Sequence, residues 1–212
     1  AEALLGKDSI PNHEFDVCVV SPGIPLTAPW VVEIRRRNIE IISELELGWS
    51  RRRCPVIAVT GTNGKSTVVK WLADSLTTAG LRAMPAGNYG LPVSQIVLEE
   101  PDLDWLVLEV SSFQLESIVD FCPQIAVLLN FSQNHLDRHK DIEEYFTAKK
   151  NIFLNQKKKD YAVLNFQDEK IKGLASQINS TVSYFNSPEI LKQFPNKNPN
   201  HLAVMEAARL LK

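Results

Sequence analysis

The run Thr60-Gly61-Thr62-Asn63-Gly64-Lys65-Ser66-Thr67 puts glycines, hydroxyls and one lysine in a single short loop. Glycines let a backbone curl until its N–H groups point inward at an anion. Lys65 would reach the terminal phosphates of a nucleotide, and the hydroxyl of Ser66 or Thr67 could sit on Mg²⁺. The strict phosphate-loop pattern has a Gly five positions before Gly64, where this chain has Val59. An ordinary βα turn with a helix-starting Ser is therefore the competing reading.

Other residues could complete such a site. Glu109 closes an apolar run, and a carboxylate there is costly unless it is paired, bound to metal or used to cap the next helix. His135 and His139 lie in a polar loop after another apolar run, where His135 could ligate a second cation. Asp137 and Arg138 read either as an ion pair or as substrate contacts. Lys149 shares a helical pattern with Phe146, Ile152 and Phe153 and reads, from composition, as a snorkelling lysine.

The elements that must position these residues alternate. Apolar, β-branched runs predict strands at Asp16–Val20, Ile39–Ser43, Val56–Thr60, Leu81–Pro85, Asp104–Val110, Gln124–Asn130, Tyr161–Asn165 and Thr181–Phe185. Helical spacing predicts helices over about Pro29–Arg37, over Val68–Leu76 with Gly80 as a stop, up to about Leu98, and over Ile142–Phe153, Glu169–Ile178 and His201–Leu211. Glu44–Trp49 reads as a short helix or connector. Strands alternating with helices predict an α/β fold, a mostly parallel sheet flanked by helices on both faces. Ligands in such sheets sit at the carboxyl ends of the strands. That rule gathers Thr60–Thr67, Gly87-Asn88, Glu109–Gln114 and Asn130–Arg138 at one edge. Arg51-Arg52-Arg53 reads as a solvated linker between domains and Gln156–Asp160 as a solvated turn.

Composition narrows the function classes. A net charge of −2 leaves no electrostatic footprint for nucleic acid. No apolar run is long enough to span a bilayer, and the N-terminus lacks a basic-then-apolar signal pattern. Cys18, Cys54 and Cys122 are widely spaced and odd in number, which predicts buried thiols in a reducing compartment, not disulfides or a zinc site. The chain does not open with an initiator Met, so a start inside a longer protein is expected.

Taken together, the motifs resemble the Mur ligase family. They are Thr-Gly-Thr-Asn-Gly-Lys-Ser-Thr (60–67), Gly-Asn-Tyr-Gly (87–90), Leu-Glu-Val-Ser-Ser-Phe-Gln-Leu-Glu (108–116), Asn-x₄-His-Leu-Asp-Arg-His (130–139) and Tyr-x₂-Ala-Lys (145–149), in the family's order and spacing. The Ser-Ser-Phe-Gln-Leu-Glu string and Ser21-Pro22-Gly23-Ile24 are similar to the branch that adds D-glutamate. The likeness runs from about residue 14 to 185.

The resemblance implies a P-loop-type central ATP-binding domain over 51–212, incomplete, and over 1–50 a remnant of a Rossmann-like domain for the UDP substrate; the third domain, for the incoming amino acid, is expected to be absent. It implies that Gly61, Thr62, Asn63, Gly64, Lys65, Ser66 and Thr67 wrap the ATP phosphates. It implies two Mg²⁺ sites, with Ser66 and Glu109 on the first and His135 on the second. Lys149 matches a lysine carbamylated by CO₂ beside the metals, which replaces the snorkelling reading. Lys65, His135 and Lys149 are then the catalytic set, while Ser21, Asn88, Ser111, Gln114 and Arg138 face the substrates.

The implied reaction is ATP-dependent amide formation: the carboxylate of UDP-N-acetylmuramoyl-L-alanine takes the γ-phosphoryl group, and D-glutamate displaces phosphate from the acyl phosphate. A monomer in the cytoplasm, acting on small molecules, is expected. The chain departs from the family in having Asn134 where Asp usually precedes the metal-binding His. A His-Asn pair expected after Phe185 has no counterpart in the short Asn186–Asn200 segment. Another ligase of the superfamily, or a nucleotide-binding module that no longer catalyses, are the alternatives; Phe113-Gln114 argues against the first, and retention of Lys65, Glu109, His135 and Lys149 against the second.

Overall fold

The computed structural model describes residues 10, 14–25, 27–99, 102–132 and 141–211. In chain order the elements are β1 (Val17–Val20), α1 (Pro29–Arg36), β2 (Glu40–Ser43), α2 (Glu44–Arg51), β3 (Val56–Thr60), α3 (Lys65–Thr78), β4 (Ala83–Gly87), α4 (Val93–Glu99), β5 (Trp105–Glu109) and α5 (Ser112–Leu115). There follow β6 (Ile125–Leu128), α6 (Ile142–Lys150), β7 (Tyr161–Asn165), α7 (Glu169–Lys172), β8 (Thr181–Phe185), α8 (Pro188–Gln193) and α9 (Pro199–Arg209). Among the described residues, β1 and β2 form a two-stranded parallel sheet, and the other six strands form a parallel sheet in the order β4-β5-β3-β6-β7-β8. The mostly parallel α/β architecture expected from the alternation is what forms.

The central strand β3 is buried along its whole length. Successive side chains of a strand face opposite ways, and each face meets its own helices. Ala58, Leu106, Leu108, Ala126 and Leu128 pack with Leu45 of α2, Ile96 of α4, Phe146 of α6 and Ile171 of α7. Ile57, Val59, Val107 and Val127 pack with Val68, Val69 and Leu72 of α3 and with Leu202, Ala203 and Ala207 of α9. Each fully buried aliphatic side chain contributes roughly 1.5–3 kcal/mol, so both layers hold the sheet and its carboxyl edge in place.

The link from the small sheet to the large one is itself part of the larger core. Ser43 caps α2, accepting from Glu46 N–H at 3.2 Å. Glu44 then accepts from Ser94 N–H and Oγ, both at 2.7 Å. Glu46, buried, accepts from the Val119 and Phe121 N–H groups at 2.7 and 2.8 Å. The Glu44–Trp49 stretch is thus a helix locked to α4 and to the loop before β6.

Several sequence expectations change in detail. The helix expected over Glu169–Ile178 stops at Lys172 and gives way to a 3-10 turn, Gly173–Ser176, where glycine weakens the helix. The one expected over Ile142–Phe153 likewise tightens into a 3-10 turn at Asn151–Phe153. The short stretch between Phe185 and Pro199, for which no element was expected, contains α8, capped by Ser187 and opened by Pro188. The last helix begins at Pro199, two residues early, because proline suits a first helical position and Asn198 caps it.

Gln156 and Asp160 do not form a solvated turn. Gln156 Nε2 donates to the carbonyls of Pro123 and Tyr161, Asp160 accepts from Lys157 N–H, and both side chains are buried. Arg52 is not a free linker residue either: it lies 4.0 Å over the Trp49 ring and donates to the Trp49 carbonyl. All three cysteines are free, but only Cys54 is buried; Cys18 and Cys122 are partly exposed. No helix among the described residues is long and apolar enough to cross a membrane.

Candidate active site

The carboxyl ends of β3, β4, β5 and β6 converge on the turn between β3 and α3. Gly64 caps α3 with φ 83°, a left-handed conformation that disfavours side chains. A Cβ there would also lie 2.7 Å from the Asn200 carboxamide. The first four N–H groups of a helix have no intrahelical acceptor, so the start of α3 offers its amides and the positive end of its dipole to an anion. Burial pulls the Lys65 ammonium below its ordinary pKa, with Glu109 pulling the other way. Its Nζ folds back over the loop, donating to the carbonyls of Gly61 and Thr62, both at 3.2 Å. Ser66 and Thr67 are exposed at this opening.

Glu109, the last residue of β5, is only 4% exposed. Ser66 Oγ donates to its Oε2 at 2.6 Å and Asn88 Nδ2 to its Oε1 at 3.0 Å. The carboxylate therefore stands between the first turn of α3 and the loop after β4. Gly87 allows that closeness: with φ 101°, a Cβ would meet the Glu109 carbonyl oxygen at 2.3 Å. Carboxylate and hydroxyl are hard oxygen donors suited to Mg²⁺, which keeps water and phosphate oxygens as its remaining ligands. Glu109 and Ser66 fit that role. Among the described residues no group of three or more His, Cys, Asp or Glu side chains gathers to hold a metal.

Lys149 does not snorkel. It is 2% exposed, its Nζ donating to the Gly61 carbonyl at 2.9 Å and lying 4.6 Å from the centre of the Tyr145 ring. Burial, helped by the nearby Lys65 charge and opposed by Glu109, lowers its pKa to about 7. A substantial fraction is then neutral amine near neutrality, the form that can attack CO₂.

The remaining positions divide. Ser111 caps α5 in a reciprocal box with Gln114, whose Oε1 accepts from Ser111 N–H at 3.0 Å; Gln114 is enclosed and shapes the turn beside Glu109. Ser21 is exposed in the turn after β1, on the smaller sheet. His135 and Arg138 lie outside the described residues. Two residues outside the expected site set reach the loop, of which only Asn130 was placed at this edge from the sequence. Asn130, just beyond β6, hydrogen-bonds Asn63, and Asn200, in the first turn of α9, covers Gly64. Asn130 stands at a strand's carboxyl end, which is a signal in itself; nothing in the sequence brings Asn200 next to residue 64. Beside it His201 stacks on Trp71, centroids 4.1 Å apart.

Residues 59–208 match the Mur ligase middle domain. The chain belongs to the Mur ligase family. A UDP-N-acetylmuramoylalanine--D-glutamate ligase of Alkaliphilus metalliredigens is 42% identical over 180 residues, covering 85% of this chain and 40% of that protein. The enzyme of the same name from Streptococcus sanguinis is 42% identical over 178 residues, covering 84% and 40%. This Mur ligase chain thus spans about two fifths of the length of the curated relatives it matches. Among solved structures, MurF ligase from Thermotoga maritima in complex with ADP aligns with a TM-score of 0.55 at 20% identity, covering 87% of this chain and 51% of that one. E. coli FolC with ADP aligns at 0.57 and 17%, covering 90% and 62%. At such identities these two share the fold alone.

Proposed function

We propose that this Mur ligase chain is the ATP module of a ligase that joins D-glutamate to UDP-N-acetylmuramoyl-L-alanine in peptidoglycan synthesis. The observation that carries the reading is the Glu109 carboxylate held between Ser66 of the phosphate loop and Asn88 of the neighbouring loop. That bridge links a nucleotide cradle to a second loop where an acceptor carboxylate would lie. The 42% identity to curated D-glutamate ligases supports the choice of amino acid.

In this reading the α3 amides and Lys65 bind the ATP phosphates, Lys65 swinging from the loop carbonyls to the terminal phosphate. Asn88 orients the acceptor carboxylate near its target. Fixed positive groups offset the repulsion between an anionic nucleophile and a polyanionic nucleotide. Glu109 and Ser66 would hold a Mg²⁺, with His135 on a second ion, and such cations neutralise charge developing on the transferred phosphoryl group. Lys149 attacks CO₂ with its neutral amine and loses a proton, becoming a carbamate. The acyl phosphate formed on the alanine carboxylate then yields to the amine of D-glutamate. Ser21, Ser111 and Arg138 are assigned to the UDP-sugar and acceptor side, and Gln114 acts through the α5 turn. Residues 1–50 are assigned to a UDP-substrate domain and 51–212 to the ATP domain, with α2 as the joint. Cytoplasmic location and a monomeric state complete the proposal.

Calorimetry with Mg-ATP on the 212-residue chain, against Lys65→Ala, tests the module. Binding by the wild type and a more than roughly tenfold loss in the variant are expected; absence of wild-type binding refutes it. For the whole ligase, phosphate release must require both UDP-N-acetylmuramoyl-L-alanine and D-glutamate.

A further inference from the structure

The parallel pairing of β3 with β6 does not stop where the strands do. Leu129 N–H donates to the Thr60 carbonyl at 3.0 Å, and Thr62 N–H donates to the Asn130 carbonyl at 3.0 Å. Past Thr62 the backbone turns away, and side chains take over the ladder. Asn130 Oδ1 accepts from Asn63 N–H at 2.9 Å, while its Nδ2 donates to the Asn63 carbonyl, also at 2.9 Å. One carboxamide thus brackets both polar groups of a single loop residue. In return the Thr62 hydroxyl accepts from Ser132 N–H at 3.0 Å and lies 3.3 Å from the Ser132 carbonyl.

Asn63 is exposed, so its peptide could turn over freely were it not held. Flipping it would swing the following Gly64 amide, the first of the α3 cradle. The bracket also turns the Asn63 N–H away from the cradle and leaves the anion to the amides that follow.

We propose that Asn130, seconded by Thr62, is a positioning residue that holds the phosphate loop in its phosphate-ready shape before any nucleotide arrives. The assignment rests on the nucleotide reading above and adds that the loop is preorganised by side chains of the loop next door. Thr62, in this view, acts on the loop's neighbour through its hydroxyl in addition to lining the cradle. Preorganised donors cost no rearrangement at the moment of binding, so removing the Asn130 carboxamide weakens phosphate binding without touching a residue of the cradle itself.

The test compares the wild-type chain with Asn130→Ala, Thr62→Val and Thr62→Ser, using Mg-ADP calorimetry at a temperature well below every variant's melting point. Asn130→Ala is expected to bind Mg-ADP at least about tenfold more weakly, Thr62→Val to follow in the same direction, and Thr62→Ser, which keeps the hydroxyl, to lose less affinity than Thr62→Val. Amide exchange without nucleotide supplies the readout that a general loss of stability would not move: in Asn130→Ala the Asn63 and Gly64 amides speed up while those of β3 and β6 keep wild-type rates. Wild-type affinity in Asn130→Ala, or faster exchange spread evenly through β3 and β6, overturns the proposal. Failure of the wild type to bind Mg-ADP overturns the nucleotide reading itself, and this inference with it.

Discussion

Lys65 and Lys149 donate to the same oxygen, the carbonyl of Gly61, at 3.2 and 2.9 Å. Two ammonium groups on one neutral acceptor repel each other, and the Glu109 carboxylate is the anion set against both. The arrangement favours loss of charge at the more deeply buried of the two, Lys149, and it favours arrival of an anion. A bound phosphate would draw Lys65 away; a carbamate on Lys149 would turn the repulsion into attraction.

The Lys149 titration gives stability a pH dependence. Its folded pKa, about 7, lies below the ordinary lysine value of 10.5, so the unfolded chain binds more protons between those limits and stability rises with pH across that window. The contribution is complete above the unfolded value and is lost as pH falls through about 7. Urea unfolding followed from pH 6 to 10 should show a gain on the order of 4 kcal/mol that Lys149→Met abolishes. Equal slopes in the two proteins would show that Lys149 does not carry the effect.

Asn88→Ala leaves Glu109 Oε1 without its donor. In the proposed site Glu109 would hold Mg²⁺, and loss of a hydrogen bond that orients such a ligand weakens metal affinity by roughly 10–100-fold. Nucleotide affinity titrated against Mg²⁺ should shift to higher Mg²⁺ by about tenfold in this variant, with the metal-free affinity little changed. An unshifted Mg²⁺ curve would separate Asn88 from the metal.

Gly87→Ala tests the closeness of β4 and β5. The new methyl would sit 2.3 Å from the Glu109 carbonyl on a backbone with φ 101°. Strain of both kinds predicts a loss of about 2–4 kcal/mol in chemical denaturation, together with weaker Mg-ATP binding because Glu109 must move. A variant of wild-type stability would mean that the strands separate at little cost.

Glu46→Ala removes the acceptor from the Val119 and Phe121 N–H groups and leaves buried donors unpaired. A cost of about 2–4 kcal/mol in urea unfolding is expected. Glu46→Gln, which keeps one acceptor oxygen, should recover at least half of it. Nucleotide affinity of the folded protein should be unaffected, since Glu46 lies at α2 and away from the phosphate loop.

How much of this was legible in the residues varies with the range of the interaction responsible. The strands were readable because apolar β-branched runs such as Val56–Thr60 and Trp105–Glu109 bury on both faces of a parallel sheet, and the loop after β3 because its glycines and lysine lie close together between positions 61 and 65. Glu109 was readable as a carboxylate in need of partners because a charge ending so apolar a run is costly alone, and Ser66 and Asn88 supply them. Helix ends were less so, as at Lys172, where a glycine competed with a continuing apolar pattern.

What the local sequence could not decide was which distant groups meet. The enclosure of Lys149 follows from α6 packing over the end of β3, and no spacing within α6 distinguishes it from a lysine reaching solvent. The inward turn of Gln114 is decided by a cap, the enclosure of Gln156 and Asp160 by backbone amides and carbonyls at the sheet's other edge. Asn130 meets Asn63 across 67 residues of chain, and Asn200 meets Gly64 across more. The sequence by itself determined the alternating α/β fold, its family and the chemistry available at the strand ends, since those depend on residue type and short-range pattern. The tertiary structure alone decided which amides, lysines and carboxylates share a site, because hydrogen bonding and desolvation act on neighbours in space.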